Sequence, residues 1–345
     1  MCGWRYEFIV FSKSKDGVEQ YIGRTEHFYF LSCAEITGGI VHCVRTADRG
    51  LMIRDQVFCD QPMYAVIEED ILYVLLRAPF SGSRSSGIIK FQIQTDGSLC
   101  KAGAVKSTRG EVACHLCRFD GNTYIANYLS GSIYKEDKRL VIRRGKSIHP
   151  ERQSSSHIHF VGKTSDENYL LALDLGSDEI VTFDRELNKK RSVKLPAGSG
   201  PRHFAYINSQ YLAVVNELAC SVSIFYYAQG ALTLVDTIAI VENNHEGSLA
   251  AGIRCRGNKI YVSVRGCDVL VTLRWEDMRL SIDSIVPCAG KSPRDILLLQ
   301  NSVFCMNEGS SNVTELLLSS DGSVAGKAVE RLKLKNVLCG VVHYI

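Results

Sequence analysis

The chain has 345 residues, of which 46% are hydrophobic and 22% are charged, a composition that argues against a disordered or coiled-coil protein. Its 40 basic and 37 acidic residues leave a formal net charge of +3, which gives no overall attraction to nucleic acid or to a membrane, so we expect neither partner. At roughly 150 residues per domain the length suggests two domains, although β architectures of this size often form one.

Thirteen cysteines are a high number for a chain of this length. Charged residues interrupt the first seven positions (Met-Cys-Gly-Trp-Arg-Tyr-Glu), which is unlike a secretory signal, and no segment approaches the ~18 consecutive apolar residues of a membrane span. We therefore expect a cytoplasmic protein with reduced thiols. Cys114 and Cys117 have CxxC spacing, but no second such pair completes a zinc site, so we expect strand cysteines and no bound metal.

Short runs rich in Val, Ile, Leu and Tyr recur along the chain, separated by clusters of Gly, Asn, Asp and Ser. Clear examples are residues 169–173 (Tyr-Leu-Leu-Ala-Leu), 211–215 (Tyr-Leu-Ala-Val-Val) and 260–264 (Ile-Tyr-Val-Ser-Val). Such runs between turn-forming residues predict β-strands, and no long window places apolar residues at helical spacing. The sequence therefore predicts an all-β protein.

An internal repeat organises these strands. Each copy holds a short anchor segment, an apolar strand, a tight turn and a second strand that ends in polar residues. The copies occupy residues 62–77, 114–134, 157–175, 201–225, 250–266 and 293–308. The third anchor residue falls at positions 64, 115, 159, 203, 252 and 295, so neighbouring copies lie 51, 44, 44, 49 and 43 residues apart. This period is close to the ~40–50 residues of a four-stranded propeller blade.

The two chain ends supply one more copy. Residues 339–345 (Cys-Gly-Val-Val-His-Tyr-Ile) match the anchor strand, and residues 6–11 (Tyr-Glu-Phe-Ile-Val-Phe) match the strand that should follow it. Pairing these strands would close a ring and remove the free sheet edges between the first and last blades. We therefore predict a seven-bladed β-propeller, closed by its N- and C-terminal strands in one blade, with residues 1–345 as a single domain. An irregular β-sandwich is the alternative.

Propeller geometry predicts which residues share one opening of the central channel. The inner strand of a blade lines the channel, and the second strand runs antiparallel beside it. The start of the first strand and the end of the second therefore lie at the same mouth, which brings His203 and Glu217 together. Applied to every blade, this rule collects Arg77, His115, Asn127, His157, His159, Asp174, Arg202, Asn216, Glu217, Arg265, Arg294, Asp295, Asn307 and Glu308.

Arginine, histidine and carboxylate groups dominate this predicted mouth. Arginine binds carboxylates and phosphates through paired hydrogen bonds, and a nearby histidine or glutamate can act as a general base at neutral pH. The alternative is that these groups connect blades, and we favour that role for single Asn and Asp residues because both types suit tight turns. His157 and His159 would face the same side of a strand, but no neighbouring carboxylate or thiolate completes a metal site.

Several motifs resemble the lactonase-type seven-bladed propeller family, which includes a bacterial 6-phosphogluconolactonase and a fungal 3-carboxy-cis,cis-muconate lactonising enzyme. The main match is Gly-Ser-Gly-Pro-Arg-His at 198–203, followed by Val-Val-Asn-Glu at 214–217 and Ser-Val-Ser-Ile-Phe at 221–225. Supporting matches lie at residues 126–128, 157–159, 261–266 and 292–295. The resemblance covers roughly residues 60 to 315.

The resemblance implies an active site at one mouth of the channel. It places catalytic roles on Arg202, Glu217 and Arg265, and on His157 or His159, which the motif does not separate. The neighbouring mouth residues expected to bind substrate are His115, His203, Arg294, Asn127 and Glu308. Two positions depart from the family pattern, since Val264 stands where an asparagine is usual and Ala113 where a proline is usual.

The leading functional hypothesis is hydrolysis of a sugar-acid lactone, 6-phosphogluconolactone, in carbohydrate metabolism and without a cofactor. His157, His159 or Glu217 would activate water, while Arg202 and Arg265 would bind the phosphate or stabilise the developing oxyanion. One alternative is a cycloisomerase that interconverts a carboxymuconate and its lactone, with arginines holding the substrate carboxylates. Another is a non-catalytic propeller that binds proteins through its rim. The sequence leaves the oligomeric state open.

Overall fold

A computed structural model describes residues 25–241 and 247–345. Within these ranges 29 β-strands form seven sheets, and no helix long and apolar enough to cross a membrane occurs there. Three strands precede the first complete blade: β1 (Glu26–Ser32), β2 (Gly39–Arg45) and β3 (Leu51–Phe58).

Six blades follow in chain order. The first and second consist of β4 (Pro62–Glu68), β5 (Ile71–Leu76), β6 (Ser85–Ile93), β7 (Leu99–Lys101) and β8 (Lys106–Glu111), and of β9 (Ala113–Phe119), β10 (Asn122–Asn127), β11 (Ser132–Lys135) and β12 (Arg139–Ile142). The third and fourth consist of β13 (Ile158–Lys163), β14 (Leu170–Asp174), β15 (Glu179–Phe183) and β16 (Lys189–Lys194), and of β17 (Pro201–Tyr206), β18 (Tyr211–Asn216), β19 (Ser221–Ala228) and β20 (Ala231–Ala239). The fifth and sixth consist of β21 (Leu249–Arg256), β22 (Lys259–Arg265), β23 (Val269–Glu276) and β24 (Arg279–Pro287), and of β25 (Pro293–Leu298), β26 (Ser302–Asn307), β27 (Asn312–Leu318) and β28 (Val324–Lys333).

The seventh sheet, which we call the closing blade, contains the last strand, β29 (Val337–Tyr344), in the order β29-β1-β2-β3. The inner strands β4, β9, β13, β17, β21, β25 and β29 contact one another in sequence, and β29 contacts β4. The described residues therefore form a closed ring of seven blades. The predicted all-β, seven-bladed propeller with terminal strands in one blade is confirmed.

The strand beside β29 differs from the one expected from the sequence. Strand β1 pairs antiparallel with β29, with Phe28 opposite Val342 and Phe30 opposite Gly340. Residues 6–11, which were predicted for this place, lie outside the described residues. Both segments are aromatic-rich apolar runs, and β1 buries its aromatic side chains against Phe304 of the sixth blade. Whether residues 1–345 form a single domain stays a prediction, because residues 1–24 are not described.

Every inner strand carries a β-bulge near its start. In the fourth blade Pro201 pairs with Asn216 and His203 with Val215, so Arg202 is the additional residue. A bulge adds a residue to one strand and re-aims the side chains around it. Adjacent side chains such as Arg202 and His203 can therefore both lie at the mouth of the channel.

The bulge corrects the alignment of the third blade. Ile158 pairs with Asp174 and Phe160 with Leu173, so His159 is the additional residue there. His159 thus occupies the position of Arg202, whereas Phe160 occupies that of His203. The expectation that residue 159 is the third anchor residue of its copy is wrong by one position. His157 precedes β13 and is not paired in it.

The apolar cores lie between neighbouring blades. One cluster joins Leu171 and Leu173 of the third blade to Phe204, Leu212 and Val214 of the fourth. The second strand of each blade is covered on both faces, which explains its continuous apolar sequence. Burial of these faces in every blade supplies the main stabilisation of the ring.

The cysteines are largely part of these cores. Cys114 and Cys117 both lie in β9, where each is buried and forms no disulfide. None of the twelve cysteines among the described residues forms a disulfide. In the same residues no group of three or more His, Cys, Asp or Glu side chains is arranged to hold a metal ion.

The closing blade contains a buried pair of histidines. The Nδ1 atom of His27 lies 2.9 Å from the Nε2 atom of His42, and the two residues are 6% and 3% exposed. Gly97 in the first blade covers the pair; its φ is +80°, and a Cβ atom there would lie 1.9 Å from Nδ1 of His27. Burial, together with the nearby His27, lowers the pKa of His42 to about 4, while Asp55 and Asp96 oppose this shift.

The first prediction concerns stability in mild acid. The pKa of His42 is lower in the folded protein than the 6.5 of an unperturbed histidine. Between these two pKa values the unfolded chain binds more protons than the folded protein, so the free energy of unfolding decreases as the pH is lowered. At pH 5 this amounts to about 1–2 kcal/mol, or a few degrees in Tm. Thermal unfolding at pH 7.5 and 5.0 should show a larger decrease in Tm for the wild type than for His42→Gln. Equal decreases would contradict the assignment.

Candidate active site

One buried carboxylate, that of Glu217, lies at the centre of the mouth. Glu217 follows β18, its backbone N–H donates to the Gly200 carbonyl at 2.7 Å, and its side chain is 2% exposed. Its Oε2 atom lies 2.8 Å from Nε of Arg202 and 3.2 Å from Nη2 of Arg265. Its Oε1 atom accepts a hydrogen bond of 2.5 Å from Nη2 of Arg152. Three guanidinium groups therefore surround one carboxylate.

These charges come from three different parts of the ring. Arg202 and Glu217 belong to the fourth blade, and Arg265 ends β22 of the fifth. Arg152 comes from the connection between the second and third blades, residues 143–157, and also contacts the Tyr128 hydroxyl at 3.3 Å. The structure therefore brings together Arg202, Glu217 and Arg265, which the sequence analysis places at one mouth. It adds Arg152, which the sequence analysis does not include. The basic sequence Arg-Arg-Gly-Lys at 143–146, in an unusually long connection, was the available signal for it.

The positive charge around Glu217 exceeds the negative charge. Burial by itself raises the pKa of Glu217, but the charges of Arg265 and Arg202 hold it well below its usual value. Burial lowers the pKa of Arg202 to about 10, and Glu217 opposes this effect. Glu217 is therefore ionised and Arg202 protonated at neutral pH. Because one carboxylate balances only one of three guanidinium groups, the mouth retains a positive excess that favours an anion.

Several arginine N–H groups at this mouth have no acceptor. Among the described residues, Nε of Arg202 and Nε and Nη2 of Arg265 are buried and make no hydrogen bond. Nε of Arg202 and Nη2 of Arg265 form ion pairs with Glu217 without making hydrogen bonds to it, and Nε of Arg265 has no such ion pair among the described residues. Buried charged donors without an acceptor are costly, so the arrangement suits an anionic oxygen of a ligand.

His159 lies next to these arginines. It is 6% exposed, and its ring centroid is 5.1 Å from that of His203 and 5.5 Å from that of Tyr128. Its buried Nδ1 atom has no hydrogen-bond partner among the described residues. Burial lowers the pKa of His159 well below its usual value, and the charge of Arg202 lowers it further while Glu217 opposes. The ring is therefore neutral at pH 7.

His157 has different surroundings. Its ring stacks on Tyr128 with centroids 4.6 Å apart, and its Nδ1 atom lies 3.0 Å from the Tyr128 carbonyl oxygen. Its Nε2 atom lies 3.4 Å from the Ser155 hydroxyl, and its backbone N–H donates to Asp174 at 2.8 Å. Both ring nitrogens of His157 thus face protein groups, whereas Nδ1 of His159 does not.

Aromatic and histidine rings from four inner strands pack together next to this cluster. The ring centroids of Tyr64 and His115 are 4.4 Å apart, those of His115 and Phe160 3.7 Å, and those of Phe160 and His203 5.0 Å. The rings of His115 and His203 also meet at 5.6 Å, although their blades are not adjacent. Burial lowers the pKa of both histidines well below the usual value. His115 and His203 are therefore uncharged at neutral pH.

The other proposed binding residues lie apart from Glu217. Nη1 of Arg294 donates to Glu308 at 3.4 Å on the sixth blade, and both side chains are partly exposed. The amide of Asn127 is fully buried and donates to the Thr108 carbonyl and the Ser132 hydroxyl. Asn216 and Asn307 make similar bonds to hydroxyl groups within their own blades. The described contacts of Asn127 are thus with the first and second blades and not with the arginine cluster.

The second prediction compares Glu217→Gln with Glu308→Gln. The two glutamates hold the same position in their blades. Glu217 is buried among three arginines, whereas the Glu308 side chain is 35% exposed and pairs with Arg294. Removing one partner of a buried ion pair costs about 3–5 kcal/mol, whereas an exposed pair contributes about 0–1 kcal/mol. Urea denaturation at pH 7.5 should show a large loss of unfolding free energy for Glu217→Gln alone. Equal losses would contradict the central role of Glu217.

Comparisons with known proteins agree with this architecture. A family model described as lactonase, 7-bladed beta-propeller, matches residues 32–341. A 6-phosphogluconolactonase of Bacillus subtilis is 28% identical over 280 residues, which cover 73% of this chain and 78% of the relative. An uncharacterised protein of Staphylococcus saprophyticus is 27% identical over 237 residues, 62% of this chain and 69% of the relative.

Solved structures show the same fold at lower identity. The periplasmic gluconolactonase PpgL of Pseudomonas aeruginosa superposes with a TM-score of 0.82 at 19% identity, covering 93% of this chain and 99% of its own. A Bacteroides fragilis protein proposed to be a 6-phosphogluconolactonase gives a TM-score of 0.83 at 21% identity, covering 94% and 99%. Since the family model spans most of the chain, the resemblance seen in the sequence is confirmed, and the protein belongs to the lactonase family of seven-bladed β-propellers.

Proposed function

We propose that the protein hydrolyses 6-phosphogluconolactone, the lactone of a phosphorylated sugar acid, at the mouth that contains Glu217. The observation that carries this proposal is the set of buried N–H groups of Arg202 and Arg265 without acceptors, beside the neutral ring of His159. The lactonase family and the Bacillus subtilis relative named 6-phosphogluconolactonase support the choice of reaction and substrate.

In the proposed reaction a water molecule attacks the carbonyl carbon of the lactone, and His159 accepts one proton from this water. The resulting tetrahedral intermediate carries a negative oxygen, which the N–H groups of Arg202 and Arg265 stabilise. The bond between the carbonyl carbon and the ring oxygen then breaks, and protonated His159 gives the proton to that oxygen. The product acid ionises at neutral pH, so each turnover releases one proton.

The two arginines would provide the largest part of the rate enhancement. Donors that are already in place where negative charge develops contribute about 2.7–4 kcal/mol each in comparable sites. Arg202 meets this requirement because its Nη1 atom is also held by the Ala251 carbonyl at 2.8 Å. Burial strengthens the effect, since a charge acts more strongly where water is excluded.

Glu217 is better suited to positioning than to proton transfer. A general base works best when its pKa is near the working pH, and the surrounding arginines hold the pKa of Glu217 far below that range. Its carboxylate instead aligns Arg152, Arg202 and Arg265 and offsets part of their mutual repulsion. It also favours the imidazolium form of His159 that arises when water is deprotonated.

His159 is the histidine we assign as the base. Its Nδ1 atom has no partner in the described residues, whereas the ring nitrogens of His157 face Tyr128 and Ser155. The pKa of His159 is low because of burial and the charge of Arg202. An anionic substrate would offset that charge and raise the pKa of His159 toward neutrality. Substrate binding would thus make the base stronger at the moment it is needed.

The other hypotheses from the sequence have less support. No comparison supports carboxymuconate cycloisomerisation, and a non-catalytic binding propeller would not need buried arginine donors without acceptors at the channel mouth. A cytoplasmic location stays a prediction of the sequence.

The third prediction separates the two histidines. His159→Asn should lower kcat/KM for 6-phosphogluconolactone by about 100-fold or more, the usual contribution of a general base. His157→Asn should lower it much less, because His157 contacts protein groups. Proton release, corrected for spontaneous hydrolysis in the same buffer, measures both. A larger loss for His157→Asn would reverse the assignment, and a wild type no faster than buffer would refute lactonase activity.

The fourth prediction concerns pH dependence. Because the pKa of His159 in the free enzyme lies well below 6.5, kcat/KM should stay nearly constant from pH 8 down to pH 6. The rate kcat should decline at a higher pH than kcat/KM does, because bound anion raises the pKa of the base in the complex. Steady-state rates across pH 5 to 8 test this order. A half-maximal kcat/KM near pH 6.5 would contradict the assignment of His159.

A further inference from the structure

A second pair of arginines stands at the same mouth. In the sixth blade Pro293 pairs with Asn307 and Asp295 with Met306, so Arg294 occupies the bulge position that Arg202 occupies in the fourth. Arg77 follows β5 in the first blade, and its backbone N–H donates to the Gln61 carbonyl at 3.0 Å. Glu217 makes the equivalent bond to Gly200. Arg294 thus corresponds to Arg202, and Arg77 corresponds to Glu217. Both arginines therefore lie at the same end of the channel as the cluster around Glu217.

The closing blade lies between these two arginines. It presents Cys33 at the position of Glu217, with the Cys33 N–H donating to the Asn336 carbonyl at 2.9 Å, and Leu338 at the bulge. Burial raises the pKa of the Cys33 thiol, and the charges of Arg77 and Arg294 oppose that effect. Both arginines therefore approach Cys33 from opposite sides. At these two positions the closing blade contributes a thiol and an apolar side chain, so neither position supplies a carboxylate to Arg77 or Arg294.

Arg77 and Arg294 are less constrained than Arg202 and Arg265, whose side chains are 4% and 14% exposed. Arg294 makes one described hydrogen bond, the 3.4 Å contact to Glu308, and its side chain is 26% exposed. Arg77 is exposed. A guanidinium group has five N–H donors, so most of those on Arg294 remain for a ligand. Arg77 and Arg294 are thus more open to water than Arg202 and Arg265.

The two sides of the mouth face each other across the channel. The charge of Arg294, on the sixth blade, acts on Cys33 of the neighbouring closing blade. It also acts on His159 of the third blade and on Arg202 of the fourth. A ligand in the mouth can therefore contact Arg202 and His159 at one end and Arg294 at the other.

We propose that Arg77 and Arg294 bind the phosphate of the substrate, while its lactone ring lies against Arg202, Arg265 and His159. This inference rests on the function proposed above and adds an orientation to it. A phosphate dianion is strongly hydrated, so its place is the exposed side, where it keeps part of its water. The neutral lactone carbonyl is cheaper to bury, and the buried donors of Arg202 and Arg265 then stay available for the oxyanion.

The test compares two substrates, 6-phosphogluconolactone and glucono-δ-lactone, which lacks the phosphate. Arg294→Gln and the double variant with Arg77→Gln should lower kcat/KM for 6-phosphogluconolactone at least tenfold, mainly through KM. The same variants should lower kcat/KM for glucono-δ-lactone much less, so that the preference for the phosphorylated lactone falls at least fivefold. Arg185→Gln is the control, since Arg185 is an exposed arginine paired with Asp120 on a turn remote from this mouth. Equal losses with both lactones, or no loss with either, would overturn the phosphate subsite.

A binding measurement separates this inference from the reaction itself. Calorimetry with 6-phosphogluconate and gluconate should show tighter binding of the phosphorylated acid to the wild type, and Arg294→Gln should abolish the difference. If the wild type hydrolyses neither lactone but keeps this preference, the lactonase proposal fails and the phosphate subsite stands. If the wild type binds both acids equally, the subsite is refuted whether or not lactone is hydrolysed.

Discussion

The pairing of β29 with β1 is the constraint on which the molecule depends. It joins the two ends of the described chain in one sheet, with Phe28 opposite Val342 and Phe30 opposite Gly340. Without it, β29 and β1 would each expose an unpaired edge, and the first and sixth blades would lose the sheet between them. Seven inner strands then surround one axis, and every blade turns the start of its inner strand to the same mouth. Function can therefore be distributed over residues far apart in sequence.

The distribution of charge at that mouth is uneven, and this unevenness suits the proposed chemistry. On one side the buried carboxylate of Glu217 holds three arginines, and donors exceed acceptors. On the other side Arg294 pairs with one described residue, the partly exposed Glu308. The uncharged rings of His115 and His203 pack next to the cluster around Glu217. A bulge in each inner strand makes this possible, because it lets Arg202 and His203, which are neighbours in the chain, both contribute.

Much of the fold and part of the site could be predicted from the sequence, for identifiable reasons. The repeat of anchor, strand, turn and strand revealed the blades because each blade must bury the same faces against its neighbours. Antiparallel pairing within a blade then grouped Arg202 with Glu217. The alignment of His159 was one position out, because a bulge adds a residue that does not disturb the apolar pattern. Residues 6–11 and β1 have similar apolar patterns, so composition could not choose between them.

The sequence by itself determined the seven-bladed ring, the family, and the mouth at which Arg202, Glu217 and Arg265 meet, since these follow from periodicity, strand direction and short motifs. Only the tertiary structure decided that Arg152 reaches Glu217, because the path of the connection at 143–157 depends on how two blades pack. The same holds for the different surroundings of His157 and His159, and for the contrast between Glu217 and Glu308. Burial and the number of neighbouring charges distinguish these residues, and both arise when separate blades come together.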